Sequence, residues 1–232
     1  MNIIKVKDYN ELSERASEII INEILKKPNI TIGFATGKTP LGIYMDLVRE
    51  YKKGKVDFSK IKTFNLDEYY PLKNNDKKSY RHYMFKNLFD KINVKKENIN
   101  LLNGNSNNFK KECEDYENKI KRNPIDLQIL GIGVNGHIGF NEPGSIIGSK
   151  TRLVNLAPET ISRNKYKKEA LTVGISTIIK SKKIILLASG KEKARAILGL
   201  VKGKKNKNIP ASFLRKNKNL IVIIDREAGS LL

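Results

Sequence analysis

The chain has 232 residues, a length that fits one large domain or at most two small ones at ~150 residues each. Hydrophobic residues make up 39% and charged residues 30%, which excludes a disordered or membrane-embedded chain, while 45 Lys and Arg against 24 Asp and Glu set a net charge of +21. A single cysteine, Cys113, excludes an internal disulfide, and the opening MNIIKVKDYNELSE has no apolar segment, so a cytoplasmic protein is expected.

In chain order, Leu12, Ala16, Ile19, Ile20 and Ile24 recur at helical spacing over residues 10–27, and Pro28 ends the run. Ile30–Ala35 reads as a strand, followed by a Gly/Thr/Pro turn and a helix from Leu41 to Tyr51. Ile61–Leu66 reads as a second strand, Ser79–Phe89 as helix and Ile99–Leu102 as a short strand. Phe109, Cys113, Tyr116 and Ile120 form one stripe of a charged helix, which gives Cys113 a packing role. Asp126–Gly131 and Ile184–Ser189 are strands, Glu192–Lys202 a helix, and Asn219–Asp225 a last strand.

Near-continuous apolar strands alternating with helices imply a mostly parallel sheet covered by helices on both faces. The expectation is an α/β fold, a single three-layer Rossmann-like domain over residues 1–232. Its lysine clusters, such as Lys52–Lys55 and Lys202–Lys207, are dispersed between apolar segments and carry no interleaved aromatics. Lysine also greatly outnumbers arginine, the usual reader of base edges. The charge therefore reads as solvated surface, with neither a nucleic-acid nor a membrane partner expected.

Ligands of such sheets bind beyond the carboxyl ends of the strands. Thr36–Thr39, Asp67–Glu68, Gly131–Glu142 and Gly190–Lys193 all follow predicted strands, so they are expected along one sheet edge. Gly131-Ile-Gly133-Val-Asn-Gly136 matches a dinucleotide fingerprint, but Gly139, Pro143 and Gly144 oppose the helix that fingerprint needs. Gly33-Phe-Ala-Thr-Gly37-Lys38-Thr39 is one residue short of a nucleotide-triphosphate loop, and Pro40 follows it. A Gly/Thr turn from strand to helix still presents backbone N–H groups to an anion, and a small phosphate ester suits it.

Only two histidines are present. His82 falls in a tyrosine-rich helix and reads as structural. His137 lies in a Gly-rich loop with Asn135 two residues before it and Glu142 five after. A histidine flanked by an amide and a carboxylate suits proton shuttling, since its neighbours fix the tautomer. Asp67, beside that loop, suits abstraction of a carbon-bound proton. Lys193 and Arg163 carry charge suited to phosphate, although composition alone does not single them out. No spacing of His, Cys and carboxylates suggests a metal site.

Thr36-Gly-Lys-Thr-Pro40, Phe64-Asn-Leu-Asp-Glu-Tyr69, Glu97-Asn-Ile-Asn-Leu-Leu-Asn-Gly104 and Asn135-Gly-His-Ile-Gly-Phe-Asn-Glu-Pro143 resemble the glucosamine-6-phosphate deaminase family. Ser149-Lys-Thr-Arg152 and Ala170-Leu-Thr-Val-Gly174 add weaker support, and the likeness runs from residue 1 to about 225. The resemblance implies conversion of glucosamine 6-phosphate and water to fructose 6-phosphate and ammonia, without a cofactor. It implies ring opening by His137, oriented by Glu142 and Asn135, and C2 proton abstraction by Asp67. The phosphate would rest on Thr36, Gly37, Lys38 and Thr39, with Lys193 and Arg163 as cations.

Three departures stand out. Many members carry Asp where this chain has Asn135, and an amide holds the ring without sharing its charge. Lys38 replaces a common glycine, and the segment from Arg163 to Ala170 is shorter than in longer members. The chain also ends without the extension of hexameric, allosterically activated relatives, so a monomer or small homo-oligomer without that regulation is expected. The rival enzyme is 6-phosphogluconolactonase, whose comparable loop typically continues Ser-Leu-Phe-Pro where Phe140-Asn-Glu142-Pro stands here. A non-catalytic sugar-phosphate-binding module is the second alternative, though no spare length remains for a DNA-binding segment.

Overall fold

In the strand β9 (Lys183–Ala188), Ile184, Leu186 and Ala188 join one buried cluster while Ile185 and Leu187 join another. Side chains alternate across a strand, so a run that is apolar at every position must be covered on both faces. The computed structural model, which describes residues 1–73, 75–164 and 166–232 (the side chains of 159, 163 and 164 excepted), shows that cover. α1 (Tyr9–Lys26), α2 (Leu41–Lys52) and α3 (Tyr80–Asn87) pack on one face, and α4 (Phe109–Arg122) and α7 (Ala194–Val201) on the other.

Between these layers lies a seven-stranded parallel sheet. Its members, besides β9, are β1 (Asn2–Val6), β2 (Thr31–Phe34), β3 (Lys62–Asn65), β5 (Ile99–Asn100), β6 (Leu127–Gly131) and β10 (Leu220–Asp225). The spatial order is β1-β10-β9-β6-β2-β3-β5, every neighbouring pair parallel. Helix starts follow local chemistry: the Asp8 carboxylate caps α1 by accepting from the Asn10 and Glu11 N–H groups, and the Ser79 hydroxyl caps α3.

Several elements differ from expectation. Residues 67–68, expected as a segment beyond the second strand, are themselves in a strand: β3 stops at Asn65, and Asp67 begins β4 (Asp67–Tyr70). β4 leaves the parallel sheet and pairs antiparallel with β8 (Glu169–Thr172), which pairs with β7 (Arg152–Asn155). This second sheet, the helices α5 (Pro158–Asn164) and α6 (Ile175–Ile178), and β1 have weaker sequence signals. The expected helix from Glu192 begins instead at Ala194, after a single 3₁₀ turn over Lys191–Lys193. His82 is solvent-exposed on α3, so its imidazole has no packing role. Cys113, by contrast, is buried on the α4 stripe, where burial pushes its thiol up to about 11.

Asp126 anchors the far end of the sheet, where β6 starts. Its carboxylate accepts from the buried Thr31 N–H at 2.9 Å and pairs with Lys27 at 2.6 Å and Lys182 at 2.8 Å. Both lysines are substantially exposed, so the ion pairs contribute little and the N–H bond dominates. Asp126→Ala is expected to cost about 1–3 kcal/mol in urea unfolding, because it strands that N–H. Asp126→Asn, which keeps an acceptor, is expected to cost less than about 1 kcal/mol.

Candidate active site

β2 and β6 are neighbours, but the chain continues from them toward opposite sides of the sheet, to β3 on one side and β9 on the other. Loops diverging from adjacent strand ends open a crevice there. A cleft of about 1080 Å³ fills it, lined by Thr36–Thr39, Asp67, His137, Ser189, Glu192 and Lys193, and by most of the 131–140 segment. The four strand-end segments singled out in the sequence therefore meet in one place.

No helix opens after Gly131–Gly136, so this run is not built for a pyrophosphate. Gly133 serves the imidazole instead. A Cβ on Gly133 would lie 2.3 Å from Cε1 and Nδ1 of His137, so only glycine leaves room for the ring. His137 Nδ1 lies 2.8 Å from Asn135 Oδ1 and 3.2 Å from Glu142 Oε2. Asn135 Nδ2 donates to the same Glu142 oxygen at 3.0 Å, and Asn135 Oδ1 also accepts from the His137 N–H. Both neighbours of Nδ1 are acceptors, so this network assigns the ring proton to Nδ1 and leaves the Nε2 lone pair available.

Glu142 receives a further hydrogen bond from the Thr160 hydroxyl, which no sequence signal marked. Burial alone pushes the Glu142 carboxyl up, but the His137, Thr160 and Asn135 contacts outweigh it and hold the group down at about 2. Glu142 is thus a fixed negative charge at working pH.

Asp67 has the opposite environment. It is 6% exposed, and no cation pairs with it among the described residues. Burial, with a smaller contribution from Glu68, pushes its carboxyl up to about 8. Gly139, two residues past His137 and at φ +54°, backs onto this group: a Cβ there would sit 3.3 Å from Asp67 Oδ2. Alternation along β4 sends Glu68 the other way. Its carboxylate accepts from the N–H groups of Tyr69, Tyr80 and Arg81 at 2.8–2.9 Å and so fixes the start of α3. Tyr80, carried on that helix, lines the cleft with its ring stacked on Phe140. The two adjacent acids thus divide into a cleft group and a helix anchor.

The Thr36–Thr39 turn is held by two tyrosines that the sequence did not single out. The Tyr9 hydroxyl donates to the carbonyls of Lys38 and Thr39 at 2.9 and 3.1 Å and accepts from the Gly42 N–H at 2.8 Å. The Tyr83 hydroxyl donates to the Gly37 carbonyl at 2.6 Å, and Gly37 itself sits at φ +106°. With the Gly37, Lys38 and Thr39 carbonyls occupied, the turn has N–H groups that donate to no protein group among the described residues. Lys38 is exposed, and both Lys38 and Lys193 line the cleft. Arg163 belongs to α5, but its side chain lies outside the described residues. No helix among the described residues is long and apolar enough to cross a membrane.

A sequence profile described as glucosamine-6-phosphate isomerases/6-phosphogluconolactonase matches residues 7–223. A glucosamine-6-phosphate deaminase of Clostridium novyi (strain NT) is 52% identical over 241 residues, covering 100% of both chains. One of Clostridium botulinum (strain Langeland) is 49% identical, covering 100% of this chain and 99% of its own. Among solved structures, one described as a monomeric glucosamine-6-phosphate deaminase matches with a TM-score of 0.97 at 41% identity over the full length of both chains. The 6-phosphogluconolactonase of Trypanosoma brucei matches at 0.85 but at 20% identity, a likeness of fold alone. By profile, by relatives and by architecture, the chain belongs to the glucosamine-6-phosphate isomerase and 6-phosphogluconolactonase family, on its deaminase side.

Proposed function

We propose that the chain converts glucosamine 6-phosphate and water to fructose 6-phosphate and ammonia. The observation that carries this reading is a cleft in which a buried carboxyl with no cation paired to it among the described residues, Asp67, shares walls with an oriented histidine, His137. The phosphate rests on the N–H groups of Thr36, Gly37, Lys38 and Thr39, with Lys193 and Arg163 as its cations. His137 Nε2 takes the anomeric hydroxyl proton and returns it to the ring oxygen, opening the pyranose to its aldehyde. Asn135 and Glu142 hold the ring through Nδ1, and the Glu142 charge stabilises the imidazolium while it carries the extra proton.

Asp67 then removes the C2 proton, giving an enolamine, and a proton returns to C1. Water adds at C2 of the resulting imine, and nitrogen leaves as ammonia. A buried Asp67 needs a positive partner to ionise, and the protonated amine at C2 of the substrate is that partner. An aldose phosphate lacking the amine leaves the carboxyl protonated and unable to act as a base. Residues 1–232 act as one catalytic domain, a cytoplasmic monomer or small oligomer, on a small sugar phosphate.

The test is the purified chain with glucosamine 6-phosphate, following both products. Ammonia and fructose 6-phosphate are expected in equal amounts, with no hydrolysis of 6-phosphogluconolactone. Because the free enzyme holds the Asp67 proton up to about pH 8, kcat/KM is expected to rise with pH toward that value. Lactone hydrolysis without ammonia would refute the reading.

A further inference from the structure

Asp225, the last residue of β10, does not line the cleft, yet it is a buried carboxylate at the same sheet edge. Its Oδ2 accepts from the Ser189 hydroxyl at 2.5 Å and from the Gly190 N–H at 3.0 Å. Its Oδ1 accepts from the same Gly190 N–H at 3.2 Å and from the Ala228 N–H at 2.7 Å. These donors come from the two segments that leave β9 and β10, so one side chain locks the ends of adjacent strands together.

The segment leaving β9 matters to the cleft. Ser189 lines it, and Gly190, at φ +93°, turns the chain into the 3₁₀ turn that brings Glu192 and Lys193 to the wall. An L side chain rarely adopts that φ, so the bend is held by glycine at its centre and Asp225 behind it. In the sheet β6 lies between β9 and β2, so this wall and the Thr36–Thr39 turn border the cleft from either side of the β6 loop.

We propose that Asp225 is a positioning residue for the anion end of the substrate, fixing the Ser189–Lys193 turn at the spacing a phosphate requires. It acts through hydrogen bonds to the turn and touches no reacting atom. The proposal rests on the phosphate placement given under Proposed function, and its test includes a probe that needs no turnover.

Asp225→Ala removes every acceptor. Asp225→Asn keeps the geometry, since an amide oxygen can accept from Gly190 and Ala228 while the amide nitrogen donates to Ser189 Oγ. Calorimetric titration with inorganic phosphate and steady-state kinetics with glucosamine 6-phosphate read the effect. For Asp225→Ala, phosphate affinity and KM are each expected to worsen by about tenfold with kcat within about twofold, and Asp225→Asn to stay within about threefold of the parent. A purely structural role would lower Tm without separating KM from kcat.

Gly190→Ala covers the case in which Asp225→Ala does not fold, because a Cβ at Gly190 meets nothing nearer than 3.8 Å and strains only the turn. It is expected to reproduce the loss in KM and phosphate affinity. Unchanged phosphate affinity in folded Asp225→Ala or Gly190→Ala, or an equal fall in kcat, overturns the proposal. Parent protein that makes no ammonia, but whose phosphate binding still depends on Asp225, would sink the deaminase reading and leave this one standing.

Discussion

Asp67→Asn is expected to reduce kcat by about 10³-fold while glucosamine 6-phosphate still binds. The amide fills the same space but cannot take a proton from carbon, so solvent exchange at C2 should stop as well. A variant that still exchanges the C2 proton at the parent rate removes Asp67 from this role. The same substitution should make the fold more stable near neutral pH. Asp67 titrates at about 8 in the folded chain, against about 3.9 for an aspartate in an unfolded one. Between those values the folded state keeps a proton that the unfolded state has released, so stability falls as pH rises through the window. Asparagine removes that dependence. The melting temperature of Asp67→Asn should therefore exceed the parent's at pH 8, with the gap closing below about pH 4. Gain in Tm alongside loss of kcat separates a missing base from a damaged fold.

Gly133→Ala carries the second large effect. One added methyl group must displace the imidazole, because its Cβ position lies 2.3 Å from two ring atoms. A displacement of about 1 Å in a proton-transferring group costs about 10²-fold, and that loss in kcat/KM is expected here. The ring-opening step should bear most of it, so that substrate supplied in its open-chain form is processed with a smaller defect. Far-ultraviolet circular dichroism should stay unchanged, since Gly133 lies in the loop beyond β6, outside every strand and helix. Parental kcat/KM in this variant would show that His137 works from a different position.

The parts of the fold legible in the sequence are those where one force dominates. Ile184–Ala188 can only be a strand covered on both faces, because every position is apolar and the run is short. β4, with the sequence Asp-Glu-Tyr-Tyr, and β7, with Arg-Leu-Val-Asn, carry no such signal. Each pairs antiparallel with β8, β4 from far along the chain, and tertiary contacts decide this rather than composition.

The site divides in the same way. Thr36–Thr39, Asp67, the His137 loop and Lys193 lie beyond the ends of the parallel strands β2, β3, β6 and β9, so sheet geometry predicts their convergence. Tyr9, Tyr83 and Thr160 reach the same place from helices, and nothing in their local sequence reports where those helices pack. Glu68 was legible as a carboxylate but not as a helix anchor, since its partners lie at Tyr80 and Arg81, twelve and thirteen residues on. Gly133 shows the converse: its spacing matches a nucleotide motif, while its physical purpose is to make room for a side chain.

The placement of Asp126 has a consequence for engineering this chain. Its bonds to Thr31, Lys27 and Lys182 gather at the strand ends opposite the cleft, so the substitutions that govern cohesion there share no partner with those that govern chemistry. Free-energy changes at such separated sites add with little coupling. The sheet thus behaves as a handle with a working end and a holding end, and stabilising changes can accumulate at the latter while the former is retuned for another sugar phosphate.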